Sequence, residues 1–167
     1  MKKFCFVFIY LSICATCSAD TIGNVEYHLP PVAKDWEVGN RVENEKGSAI
    51  IYLPKGTPKN VEATEYFGIV TNHRPPIDIN DIPGLKKVLT KLMPGKEIDI
   101  SLIEKRPDGM IYEWTAKEKG VEKLHGWGRA ISRNEGTTLI SYQTENVSNI
   151  KKSSITWLPV LKEAKVK

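Results

Sequence analysis

The sequence predicts an α+β fold in which an antiparallel β-sheet is flanked by helices, and three patterns carry that prediction. Short runs that alternate apolar and polar residues, or are continuously apolar, recur between turn signals over 36–71 and again over 97–144. An amphipathic stretch at helical spacing separates these two blocks, and a second closes the chain. The turns between the last four strands are too short for a crossover helix, so those strands run antiparallel as a meander.

Ahead of that domain, Met1-Lys2-Lys3 is followed by an apolar run over 4–13 and then by Ala15-Thr16-Cys17-Ser18-Ala19 in front of Asp20. A basic start, a short hydrophobic stretch and small residues at a cleavage point are the three parts of a secretory signal. A membrane anchor needs roughly 20 apolar residues, about twice what is present, and no later segment is apolar enough to span a bilayer. Removal of 1–19 is therefore expected, with export to the periplasm or out of the cell. Leu11-Ser12-Ile13-Cys14 spaces a leucine from a cysteine as a lipoprotein signal does, but the bulky Ile13 beside Cys14 argues against lipidation. Cys5, Cys14 and Cys17 all fall in the removed segment, so the expected mature chain has no disulfide and no thiolate metal site. Lys2 and Lys3 supply half of the formal charge of +4, and the remainder is too small to predict nucleic acid or an anionic membrane as a partner.

Residues 20–34 hold Gly23, Pro30 and Pro31 without a sustained period and read as an extended arm leading into a single domain over 35–167. The alternation over 36–42 predicts a first strand, and the apolar run over 48–53, closed by Pro54-Lys55-Gly56, a more buried second. From 64 to 71, aromatic and β-branched residues predict a third. Ile82, Leu85, Val88, Leu89 and Leu92 then share one helical face, with Lys86, Lys87 and Lys91 opposite. Asp81 suits the cap of that helix, Pro83 its first turn and Pro94-Gly95 its stop. Strands follow over 97–104, with Ile98, Ile100 and Leu102 inward, and over 110–116, 121–132 and 137–144. Pro107-Asp108-Gly109, Lys119-Gly120 and Asn134-Glu135-Gly136 punctuate them. From Ser148 onward, Ile150, Ser154, Trp157, Leu158 and Leu161 form a last helical face, which Pro159 is expected to kink or split.

Several of these stretches resemble one family. Asp108-Gly109-Met110-Ile111-Tyr112-Glu113-Trp114, Gly126-Trp127-Gly128-Arg129-Ala130-Ile131 and Leu139-Ile140-Ser141-Tyr142 are similar to strands of small exported bacterial proteins with the PsbP-like α/β/α sandwich. Tyr52-Leu53-Pro54-Lys55-Gly56 and Thr64-Glu65-Tyr66-Phe67 resemble the strand-turn-strand that opens that domain. The resemblance spans roughly 45–145 and implies a scaffold used mostly for docking onto other proteins, with no shared active site or cofactor; function must then be argued from a site.

The candidate binding surface is an aromatic and polar set on two neighbouring strands: Tyr112 and Trp114 on one, His125, Trp127 and Arg129 on the next. Period two puts 125, 127 and 129 on one face and Gly126 and Gly128 on the other, where a helix has room to approach. Aromatic rings beside an arginine suit planar or anionic groups; the competing reading packs the rings beneath the helices with Arg129 at the edge. His28, His73 and His125 are too scattered for a metal site. Asp78, Asn80 and Asp81 lack the glycine and distal glutamate of a calcium loop. No nucleophile elbow or phosphate-binding glycine loop occurs, so no catalytic residue, metal or cofactor is predicted. Glu104, Glu113, Glu118 and Glu122 are the only grouping suited to acid–base work on sugars. The expected function is an exported, non-enzymatic binding module that docks on a macromolecule, a protein or another polymer of the envelope or host. The alternative is a small secreted hydrolase acting on such polymers.

Overall fold

The computed structural model describes residues 20–58, 63–73, 81–134 and 136–166; the expected signal 1–19 lies outside these, as do Asp78 and Asn80. In chain order the described elements are β1 (Asp20–Ile22), β2 (Val25–Tyr27), a 3-10 helix (Pro31–Asp35), β3 (Trp36–Asn44), β4 (Gly47–Pro54) and β5 (Glu65–Asn72). They continue with α1 (Ile82–Leu92), β6 (Glu97–Arg106), β7 (Gly109–Glu118), β8 (Val121–Arg133), β9 (Gly136–Thr144), a 3-10 turn (Val147–Asn149), α2 (Ile150–Glu163) and β10 (Lys165–Val166).

Seven strands form one antiparallel sheet in the order β3-β4-β5-β9-β8-β7-β6. Two meanders, β3 to β5 and β6 to β9, are thus joined where β5 pairs with β9, Phe67 opposite Tyr142 and Ile69 opposite Ile140. The hairpin between β7 and β8 turns on Lys119 and Gly120, both at positive φ (51° and 77°). That two-residue geometry matches the twist of the strands it joins.

The two helices lie on opposite faces. On one, Leu85 and Leu89 of α1 meet Tyr112, Trp114, Ala116 and Ala130. Asp81 caps α1 by accepting the Gly84 N–H at 2.7 Å, and Pro83 stands in the first turn as its sequence position suggests. On the other face, Trp157, Val160 and Leu161 of α2 meet Phe67, Trp127, Ile131, Ile140 and Tyr142. Strands dominate, and the helical cover is partial: β3 is exposed along nearly its whole length, and Leu102, expected inward, is 51% exposed. A bulge between Leu102 and Glu104 shifts the register at that edge of the sheet. Helix α2 runs unbroken through Pro159, which is exposed, so water can bond the carbonyl that its missing N–H leaves free.

Residues 20–34 are more than an arm. β1 and β2 form a hairpin, β10 from the far end of the chain pairs with β2, and Ile22, Val25 and Tyr27 are buried in the α2-side core. The Tyr27 and Tyr52 hydroxyls meet at 2.7 Å. Each of these strands is two or three residues long, too short for period two to register, and their pairing is non-local.

A file of aromatic rings runs through this core. Trp36 leans on Trp157 with centroids 4.9 Å apart, Trp157 stacks on Tyr142 at 4.8 Å, Tyr142 on Trp127 at 6.0 Å, and Trp127 meets the His125 ring at 4.9 Å.

Candidate functional site

The five residues singled out from the sequence do not share one surface. Tyr112 pairs across the ladder with Gly128, and Trp114 with Gly126, so both rings lie over glycines on the α1 face. His125, Trp127 and Arg129 point the other way, beneath α2. A Cβ on Gly128 would come within 2.3 Å of the Tyr112 ring, and one on Gly126 within 2.6 Å of the Trp114 ring. The glycines therefore make room for two aromatic rings, where a closely packed helix was expected. Burial pushes the Tyr112 hydroxyl well above the usual tyrosine range.

A bulge sets this arrangement. Counting back from the Lys119-Gly120 turn in an unbroken ladder would set Trp114 opposite His125, on one face. The ladder instead pairs Lys117 with Glu122 and Ala116 with Leu124, leaving Lys123 as the extra residue. One inserted residue moves every later side chain to the opposite face.

His125 sits between two carboxylates, its Nε2 2.7 Å from Glu113 Oε1 and its Nδ1 2.9 Å from Glu122 Oε1. The carboxylates lie at different ring nitrogens and do not converge on one point, and among the described residues no three His, Cys, Asp or Glu side chains form a metal-binding group. Glu104 is committed elsewhere, to Arg106 Nε at 2.8 Å, a bond that holds its carboxyl below the usual range. Of the four glutamates considered for acid–base work, Glu113 and Glu122 are thus divided between the two nitrogens of His125, and Glu104 is held by Arg106. Trp127, 2% exposed, is wholly core.

Arg129 is the one predicted residue that leads to a cavity. Although only 5% exposed, it lines a groove of about 740 Å³ at the C-terminal end of α2. Its Nη1 donates to the carbonyls of Ala164 (2.5 Å) and Leu161 (3.2 Å), and its Nη2 to Asp108 Oδ2 (2.8 Å). Arg106 Nη1 donates to the Lys162 carbonyl at 2.9 Å and Arg133 Nη2 to that of Val166 at 2.7 Å. The last carbonyls of a helix lack partners within it and carry partial negative charge, and Arg129 and Arg106 satisfy both needs at the end of α2, while Arg133 holds β10 through Val166. Arg106 and Arg133 were not singled out in the sequence; in hindsight, the period-two placement of Arg133 with Arg129 on β8 was the available signal.

Lys162 and Lys165 add two exposed cations to the groove, against Glu26, Asp108 and Glu163. Two buried nitrogens of its lining, Arg129 Nε and His28 Nδ1, have no hydrogen-bond partner among the described residues. A second cleft of about 440 Å³ adjoins it, sharing Arg133 and Val166. Among the described residues no helix is long and apolar enough to cross a membrane.

No protein-family model matches the chain, and no curated protein matches it. Among solved structures it is similar to the solution structure of cyanobacterial PsbP (CyanoP) from Synechocystis sp. PCC 6803. The TM-score is 0.54 over 86% of this chain and 87% of that one, at 11% identity. That likeness establishes a PsbP-like fold and nothing about shared chemistry.

Proposed function

We propose that this protein is an exported interaction module and that the groove at the C-terminal end of α2 receives an acidic segment of a partner protein. Export rests on the signal-like composition of residues 1–19. The observation that carries the docking surface is a set of cations held in place before any partner arrives. Arg106, Arg129 and Arg133 are each fixed by main-chain carbonyls, so a ligand would not have to order them, while Lys165 and Lys162, the latter in an open 3.5 Å pair with Glu104, stay exposed to steer and contact it.

The test is titration of the purified protein with a glutamate-rich decapeptide at several salt concentrations. Binding should weaken steeply with salt, because exposed charges are screened over about 10 Å at 0.1 M. The double variant Lys162→Glu, Lys165→Glu should lose about tenfold or more in affinity. Its stability should stay within about 0.5 kcal/mol, since both side chains are exposed. Unchanged affinity in the variant would overturn the reading, and preferential, groove-dependent binding to anionic lipid vesicles would replace the protein partner with a membrane.

A further inference from the structure

At the opposite end of α2 lies a separate cleft of about 340 Å³, between the 3-10 helix that precedes β3 and the N-terminal half of α2. It shares no lining residue with the groove described above. Its apolar wall is Trp36 and Trp157, with Val32 and Pro54 beside them. Trp157 is buried, whereas Trp36 is partly exposed and is supported from behind by Trp157 at 4.9 Å and Tyr142 at 6.4 Å. Asp35, Glu65, Asn149 and Thr156 stand around these rings. Glu65 is held in position by the Tyr142 hydroxyl, which donates to it and has Ser153 Oγ 3.1 Å away. Burial and the bond to Glu65 both raise the pKa of that hydroxyl, so it keeps its proton and its role as donor.

We infer that this cleft binds a short segment of a neutral saccharide, one pyranose ring lying flat on Trp36. The rim carries charges of both signs. Two carboxylates, Asp35 and Glu65, disfavour an anion, and Lys152 on the same rim offsets part of their attraction for a cation. What remains around the ring is a mixture of acceptors (the carboxylates), an amide that both donates and accepts (Asn149) and a hydroxyl that does the same (Thr156). Sugar hydroxyls, each donor and acceptor at once, suit that mixture, and the C–H face of a pyranose suits an indole face. The volume is at the small end of the roughly 300–1,000 Å³ usual for ligand pockets, which fits a short segment of a chain.

The probes are neutral tetrasaccharides of glucose, galactose, mannose and N-acetylglucosamine, titrated into the purified protein while the indole N–H signals of its four tryptophans are followed by NMR. At least one sugar should shift the Trp36 signal saturably and leave that of Trp114, on the far face of the sheet, in place. Trp36→Ala should weaken that binding about tenfold or more. Because Trp36 also packs on Trp157, Asn149→Ala and Asp35→Asn, both at exposed positions, provide the same test without touching the core, and each should weaken binding several-fold. Lys162→Glu, in the other groove, should have no effect, which keeps failure of one site distinct from failure of the other. No saturable shift below about 10 mM for any of the sugars, or equal binding by the Trp36, Asn149 and Asp35 variants, would overturn the inference.

Discussion

Arg129 illustrates how burial changes the meaning of a residue. As an exposed contact it would be removable at little cost; here its guanidinium bonds two main-chain carbonyls and Asp108 from a position 5% exposed. Arg129→Ala should therefore destabilise the protein by about 3 kcal/mol, because it leaves a carboxylate and the end of a helix without their partner. Urea unfolding monitored by circular dichroism measures this, and a loss below about 0.5 kcal/mol would place Arg129 among surface residues after all. The alternation within each of β7 and β8 was legible in the sequence, and Arg129 was singled out, but Arg133 on the same face of β8 was not. Which residues face each other was not legible, because the bulge at Lys123 is a choice of hydrogen-bond register that side-chain polarity does not record.

At the scale of elements, legibility follows the range of the interactions that make them. Helix α1 is written locally, in the Asp81 cap, Pro83 and the spacing of Leu85 and Leu89, and it forms where those signals place it. Strands β1, β2 and β10 are made by pairing between the two ends of the described chain, and no local window contains that information. The β7–β8 hairpin provides a test of local backbone chemistry. Lys119 is the only described residue other than glycine with a positive φ, at 51°, in a conformation that disfavours ordinary side chains by about 1 kcal/mol. Lys119→Gly should relieve that strain, and Lys119→Asn part of it, raising stability by some tenths to about 1 kcal/mol, less for Gly where added freedom in the unfolded chain offsets the gain. A melting temperature lowered by both variants would contradict this account of the turn.

For the molecule as a whole, the core encloses four hydroxyl-bearing rings, and these set its response to alkali. Tyr27, Tyr52, Tyr112 and Tyr142 all have pKa values raised in the folded state, each with burial as the largest cause. A folded value above the unfolded value of about 10 stabilises the protein fully below that pH and progressively less above it, as the unfolded chain ionises and the folded one resists. Urea midpoints should be flat from neutrality to about pH 9 and fall beyond about pH 10, with the ultraviolet signature of tyrosinate appearing together with unfolding. Tyrosinate growing in ahead of any loss of folded structure would show the rings open to water.

The pairing of β10 with β2 ties two tasks to one short segment. The three arginines bond carbonyls at Leu161, Lys162, Ala164 and Val166, and the β1–β2 hairpin takes its third strand from the same stretch. Until that segment docks, the guanidinium groups lack these acceptors and the small sheet lacks its third strand. The segment therefore works as a latch, closing the arginine cluster and the sheet in one movement.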